Sequence, residues 1–171
     1  MSMQVGIIYG STTGNTERAA ERIAESLGAH AVLHDIVELG IDTIPNYDVC
    51  IFGIPTWDFG ELQEDWQDIW EEFVQLDFKG KPCALFGLGD QIGYGEWFLD
   101  AMGLLNNVLE GAGATVYGQW PVEGYTFEAS KALTKDGRYF VGLALDDDCQ
   151  FAESGERITS WLLALKPMFD L

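Results

Sequence analysis

Seven consecutive residues, Gly10-Ser11-Thr12-Thr13-Gly14-Asn15-Thr16, place hydroxyls, an amide and two glycines in one short segment. Hydroxyls and amides donate hydrogen bonds, and glycine lets the backbone turn sharply and approach a ligand. The segment follows an apolar, strand-like run, Val5 to Tyr9, and precedes a helix-like run, Glu17 to Leu27. The N–H groups at a helix start have no partner inside the helix and carry partial positive charge. Strand, hydroxyl-rich turn and helix start together make an anion site, and phosphate is its natural guest. The loop has no lysine, so it is not the Gly-x-x-x-x-Gly-Lys-Ser/Thr loop of nucleotide hydrolases. Thr12 stands where a dinucleotide turn has its second glycine. A phosphate here would be held by neutral dipoles alone. An ordinary capped helix accounts for the same residue types, because Ser, Thr and Asn are common caps. The loop alone leaves both readings open.

Two further turns carry groups suited to a ligand. One is Pro55-Thr56-Trp57-Asp58-Phe59-Gly60-Glu61-Leu62; the other is Gly87-Leu88-Gly89-Asp90-Gln91-Ile92-Gly93-Tyr94-Gly95-Glu96. Each offers an aromatic residue among glycines, Trp57 and Tyr94. Two aromatics on neighbouring strand ends can sandwich a planar ring, with backbone groups reading its edge. Taken singly, each is better explained by packing over its own turn. Beside an anion loop, a phosphorylated planar cofactor is the better account.

The elements that would position these turns follow from the apolar pattern. Val5 to Tyr9, Ala31 to Leu33, Val49 to Gly53, Cys83 to Gly87, Thr115 to Tyr117 and Phe140 to Leu145 are near-continuous apolar runs, as in strands buried on both faces. Helical stripes lie between them: Ala19, Ala20, Ile23, Ala24 and Leu27; Trp66, Ile69, Trp70 and Phe73; Trp97 through Leu109; and Ile158, Trp161, Leu162 and Leu165, with Ser154 as expected N-cap. The alternation predicts a single α/β domain over residues 1–171, a doubly wound parallel sheet between two helical layers. Such sheets bind ligands beyond the carboxyl ends of their strands, where all three turns fall. Gln119 to Arg138 breaks the rhythm as a long excursion.

Composition narrows the function. The formal net charge of −19 argues against nucleic acid and anionic membranes as partners. No apolar run reaches the length of a membrane span and the start lacks a signal-peptide pattern, so a cytoplasmic protein is expected. Cys50, Cys83 and Cys149 have no metal-ligand spacing, and Cys50 and Cys83 read as reduced core residues. His30 and His34 receive surface or edge positions and no catalytic role.

Gly10 to Thr16, Pro55 to Leu62, and Gly87-Leu88-Gly89-Asp90-Gln91 with Tyr94 resemble the three FMN-binding loops of flavodoxins. The resemblance spans almost the whole chain, and the Gln119 to Arg138 excursion is similar to the insertion that splits the last strand of long-chain flavodoxins. It implies a flavodoxin-like three-layer sandwich with five parallel strands in the order 2-1-3-4-5. It implies a low-potential one-electron carrier with non-covalently bound FMN. The phosphate would sit in Ser11, Thr12, Thr13, Gly14, Asn15 and Thr16, with Trp57 and Tyr94 on the two ring faces. Pro55, Thr56, Asp58, Phe59 and Gly60 would line one edge, Leu88, Gly89 and Asp90 the pyrimidine end, and Asp146 the neighbourhood of the ribityl chain. The Asp58 carbonyl would turn toward the reduced ring, and Asp58 makes that turn less free than glycine would. Implied partners are basic redox proteins, such as a flavodoxin reductase, and low-potential acceptor enzymes; the expected state is a monomer.

The competing readings lack their residues. A flavin-dependent quinone reductase on this fold would need an acid/base constellation beside the ring, and Glu61, Asp90 and Glu96 read better as loop or capping residues. A response regulator would need an acid pair after the first strand, where Gly10-Ser11-Thr12 stands. Acidity also bears on the potential. One carboxylate about 10 Å from a reduced, anionic flavin costs about 1.7 kcal/mol at an effective dielectric of about 20. A few of them would lower the second one-electron potential by roughly 100 mV or more. From Asp58 to Asp77 the acids Asp58, Glu61, Glu64, Asp65, Asp68, Glu71, Glu72 and Asp77 occur with no Lys or Arg. A solvated helix face is the usual meaning of such charge, and the start of this helix beside the ring-binding turn favours a docking face for basic partners.

Overall fold

Residues 3–171 are described by the structure, a computed structural model. The parallel sheet is built from β1 (Val5–Tyr9), β2 (Ala31–Asp35), β3 (Val49–Trp57), β5 (Pro82–Leu88), β6 (Thr115–Tyr117) and β9 (Leu143–Leu145). The short strand β4 (Glu61–Leu62) folds back antiparallel on β3, and β7 (Trp120–Pro121) pairs with β8 (Tyr139–Phe140) outside the sheet. The helices are α1 (Asn15–Leu27), α2 (Glu64–Phe73), α3 (Asp100–Gly111) and α4 (Phe151–Leu165).

The main sheet runs β2-β1-β3-β5-β6. Setting aside the two-residue β4, this is the expected 2-1-3-4-5 order. The fifth position is shared by two pieces. β6 pairs with the first half of β5, Pro82 opposite Thr115 and Ala84 opposite Tyr117. β9 pairs with the second half, Phe86 opposite Leu143 and Leu88 opposite Leu145. The expected excursion therefore splits one strand position.

Alternation across each strand fills two cores. Val5, Ile7, Val49, Ile51, Ala84 and Phe86 face α1 and α4, where Ala20, Ile23, Ile158 and Leu162 meet them. Ile8, Cys50, Phe52, Cys83 and Leu85 face α2 and α3, against Trp66, Phe73, Met102 and Leu105. Both faces are covered, which explains the unbroken apolar runs. Cys50 and Cys83 are register neighbours on β3 and β5, buried and free. The neighbouring Cys50 and burial push the Cys83 thiol far up, and the Cys50 thiol donates to the Ile44 carbonyl at 3.4 Å. His30 and His34 flank or occupy the edge strand β2.

Three local expectations are corrected. The run Phe140 to Leu145 is not one strand. Phe140 pairs with Trp120 in the excursion, and only Leu143–Leu145 enters the sheet. Between them a Cβ on Gly142 would lie 2.3 Å from the Leu85 carbonyl oxygen, so the chain squeezes past β5 where only glycine fits. The third helix starts at Asp100 rather than Trp97, because Leu99 adopts a left-handed conformation (φ 60°) that stops a helix from passing through it. Ser154 lies inside α4, which follows Gln150; its hydroxyl donates to Asp147 Oδ1 at 2.5 Å instead of capping the helix.

Candidate functional site

The first loop leaves β1 and enters α1 through Gly14. Gly14 is the N-cap in the left-handed region (φ 92°), and no side chain caps the helix. The first main-chain acceptor of the helix is Gly14 itself, taking the Arg18 N–H at 3.0 Å. The N–H groups of Asn15, Thr16 and Glu17 have no acceptor within the helix and are available to an outside one. Ser11 Oγ accepts the Gly14 N–H at 3.1 Å, which curls the loop back on itself. Gln63 fixes its other side. Its amide donates to Thr12 Oγ1 at 2.9 Å, and the residue is fully buried. A Cβ on Gly10 would fall 2.5 Å from Gln63 Oε1 and 2.7 Å from Trp66 Cδ1, so glycine is what lets the loop lie on α2.

The second loop is the hairpin between β3 and β4, with Trp57 paired to Glu61. Asp58 (φ 46°) and Gly60 (φ 86°) turn it, both left-handed. Thr56 Oγ1 accepts the Ala101 N–H at 3.0 Å, and Gly60 packs on the Asp100 carboxylate, 2.7 Å from where its Cβ would stand. Asp100 in turn accepts the Lys131 N–H at 2.7 Å. Burial pushes its carboxyl above the usual range, against the pull of that hydrogen bond. Phe59 is 64% exposed and packs edge-on against Trp97 with centroids 4.9 Å apart.

The third loop leaves β5 under tension from two sides. Asp90 Oδ1 accepts the N–H groups of Ile92 and Gly93 at 3.1 and 2.7 Å, forming a tight turn that carries Tyr94. The Gln91 amide donates to Asp146 Oδ2 at 2.9 Å and accepts the Thr126 N–H, so the loop is tied to both β9 and the excursion.

These three loops enclose one cavity of about 380 Å³ at the carboxyl end of the sheet. It is lined by Ser11, Thr12, Thr13, Asn15 and Thr16, by Pro55, Thr56, Trp57 and Asp58, and by Leu88, Gly89, Asp90 and Tyr94. Trp57 and Tyr94 remain 36% and 43% exposed, free to meet a flat ligand. Among the expected residues, Gly14, Phe59, Gly60 and Asp146 stand outside the lining. Gly14 and Gly60 shape the loops, and Phe59 packs outward. Asp146 is completely buried: Oδ2 accepts the Gln91 N–H and amide, and Oδ1 the Asp148 and Cys149 N–H groups. Its place at the cavity is taken by Asp147 and Asp148. Burial, then repulsion from Asp90, Asp146 and Asp147, raises the Asp148 carboxyl. Asp90, Asp146 and Cys149 approach within 4.8 Å, but those four donors already occupy Asp146.

Gln63, Asp100, Asp147 and Asp148 have no signal in the sequence that singles them out, and Gln91 stands in the third motif without a role assigned to it. Asp146-Asp147-Asp148 is a run of three acids after a strand, and its composition gives no means of deciding which one turns inward.

The donor set suits a phosphorylated flat cofactor. An uncapped helix start and its hydroxyls meet one end, two aromatics meet the other, and no basic residue lines the space. The fold and site define an α/β cofactor-binding protein with its ligand at the carboxyl strand ends. The flavodoxin family model matches residues 7–161. Flavodoxin 2 of Escherichia coli (strain K12) is 51% identical over 160 residues, covering 93% of this chain and 92% of the relative. Flavodoxin 1 of Salmonella typhimurium is 47% identical over 158 residues, 92% and 89% of the two chains. Among solved structures, Fusobacterium nucleatum flavodoxin bound to flavin mononucleotide superposes with a TM-score of 0.91 at 29% identity, covering 97% of this chain and 98% of that one. The chain belongs to the flavodoxin family, whose members are FMN-binding electron carriers and not enzymes.

Proposed function

We propose that this protein is a low-potential one-electron carrier that holds FMN non-covalently in the 380 Å³ cavity. One observation carries the reading: the uncapped N-terminus of α1 opens into the same space as Trp57 and Tyr94. Ser11, Thr12, Thr13, Asn15 and Thr16 surround the phosphate with hydroxyl, amide and main-chain donors, with Gly14 as the hinge. Trp57 and Tyr94 cover the two faces of the ring and exclude water from it. Pro55, Thr56 and Asp58 border one edge; Leu88, Gly89 and Asp90 border the other. FMN, when bound, accepts and releases electrons singly.

Acidity sets the low potential. Asp58, Asp90, Asp147 and Asp148 line the cavity, and each disfavours added negative charge on the ring. Electrons pass between a basic reductase and low-potential acceptors, met on the acidic face of α2. There Glu64, Asp68, Glu71 and Glu72 are exposed while Trp66 and Phe73 are buried. The protein works as a cytoplasmic monomer; among the described residues no helix is long and apolar enough to cross a membrane.

The test is an absorbance spectrum of purified protein, then anaerobic reductive titration with one equivalent of FMN. Stoichiometric binding and two separated one-electron steps, the second well below that of free FMN, support the reading. No tight flavin binding in any redox state rejects it, and a second potential equal to that of free FMN rejects its low-potential part.

A further inference from the structure

The cavity is lined by Asp58, Asp90, Asp147 and Asp148 and by no basic residue. A phosphate monoester near neutral pH carries about −1.5 to −2 charge. Its entry therefore opposes the field of four carboxylates, whereas an unphosphorylated flavin meets no such opposition. Among the described residues, one basic side chain is joined to the lining, and it is Arg18. Its main-chain N–H donates to Gly14 O, so it stands one turn above the N-cap of α1. Its guanidinium donates to Asn15 Oδ1. Nη2 lies 4.0 Å from Asp147 Oδ2, and Nη1 lies 3.6 Å from the point that a Cβ on Gly14 would occupy. The Phe151 ring centroid is 6.0 Å from Cζ. The guanidinium thus packs on the outside of the loop that supplies the phosphate donors, and bridges two residues of the lining, Asn15 and Asp147.

Stability does not account for this placement. The Arg18 side chain is 53% exposed and that of Asp147 only 8%, and their pair is at the limit of ion-pair distance. A pair this loose, with its guanidinium half in water, contributes little. Because that pair is loose, Asp147 leaves much of the Arg18 field uncancelled at the loop.

We propose that Arg18 sets the preference of this site for a phosphorylated over an unphosphorylated flavin, as a positioning residue behind the phosphate loop. The proposal rests on the cavity being a flavin site. Arg18 contributes in two ways. By engaging Asn15 Oδ1, it leaves the Asn15 amide donors for an acceptor in the cavity. Its charge offsets the nearby carboxylates of Asp147 and Asp148 at the place where the phosphate must sit.

The test is a titration of apoprotein with FMN and, separately, with riboflavin, followed by flavin fluorescence at low and at moderate salt. Wild type, Arg18→Gln and Arg18→Lys are compared. Arg18→Gln is expected to lose about tenfold in FMN affinity at low salt, with riboflavin affinity changed by less than about twofold. Arg18→Lys keeps the charge but not the planar fork, and is expected to recover part of the lost FMN-to-riboflavin ratio. Salt screens Arg18 and the carboxylates alike, so added salt should narrow the difference in that ratio between wild type and Arg18→Gln. An unchanged ratio in Arg18→Gln overturns the proposal, as does an equal loss of both flavins, which would mark a merely structural role. Wild type that binds neither flavin removes the flavin reading itself, an outcome distinct from a changed or unchanged ratio among variants.

Discussion

Asp58 is the residue where local backbone and redox behaviour meet. It follows Trp57 in the hairpin loop and holds φ at 46°. A residue with a Cβ has one narrow ψ well at that φ, while glycine has more than one. Any reorientation of the Asp58–Phe59 peptide that accompanies reduction of a bound flavin therefore costs more here than it would after glycine. Asp58→Gly is expected to widen the gap between the two midpoint potentials in an anaerobic titration. An identical gap in variant and wild type would show that this peptide does not respond to the redox state. Much at this scale was legible beforehand. Hydroxyls, glycines and paired aromatics singled out three loops that the structure gathers around one cavity. What stayed hidden was the direction each acid faces. Asp146 and Asp147 are chemically identical neighbours, and only the hydrogen bonds from Gln91, Asp148 and Cys149 turn the first inward.

The elements are coupled to the site by buried polar groups. Gln63 caps α2, accepting the Trp66 N–H, and its amide reaches across to Thr12. The start of α2 and the phosphate loop are therefore one unit. Replacing Gln63 by Leu breaks that bond and leaves Thr12 without its donor. A neutral hydrogen bond contributes about 1 kcal/mol, so FMN affinity is expected to fall about fivefold, measured by titrating the apoprotein. Unchanged affinity would mean that the loop holds its shape without α2. Strands and helices themselves were readable wherever an apolar period ran uninterrupted, as in Val5–Tyr9 and the stripe of α1. Reading failed at Phe140 to Leu145 because hydrophobic content says a segment is buried, not which partner buries it. Phe140 packs in the excursion, against Phe98 and Tyr125, while Leu143 is in the sheet. The length of the α3 pattern likewise concealed Leu99, whose left-handed φ no periodicity reveals.

The charge of the whole molecule, −19, was visible from composition, and no Lys or Arg occurs between Arg22 and Lys79. This asymmetry gives the molecule a strongly negative side that includes the hairpin loop and α2. Electron transfer to a basic partner is expected to slow as ionic strength rises from low to moderate values, because screening shortens the reach of that field to about 10 Å at 0.1 M. Stopped-flow rates independent of salt would exclude steering. The same crowding of acids acts on stability. The native carboxyls of Asp100 and Asp148 are raised above 3.8, chiefly by burial. A group of this kind binds its proton more tightly in the folded state. Its contribution to stability is complete below the unfolded value and is lost as pH climbs through the folded one. Acidification toward the folded values of these two carboxyls therefore restores a stabilising contribution. Self-repulsion at −19 acts in the same direction. Asp136, lowered by hydrogen bonds from Thr134 and Arg138, opposes this below 3.8, and His34, lowered by burial, opposes it as pH falls through 6.5, where the unfolded chain takes up the proton first. As pH falls from neutrality, the two carboxyls and the general repulsion therefore act to raise the urea midpoint of apoprotein, and His34 acts to lower it. Asp100→Asn keeps the acceptor for the Lys131 N–H and removes the buried charge, so it should raise the midpoint at neutral pH and flatten the slope. A midpoint that falls on acidification would mean that His34 and carboxylates stabilised by ionisation outweigh these two. A slope unchanged in Asp100→Asn would assign the effect to Asp148 and the general field instead.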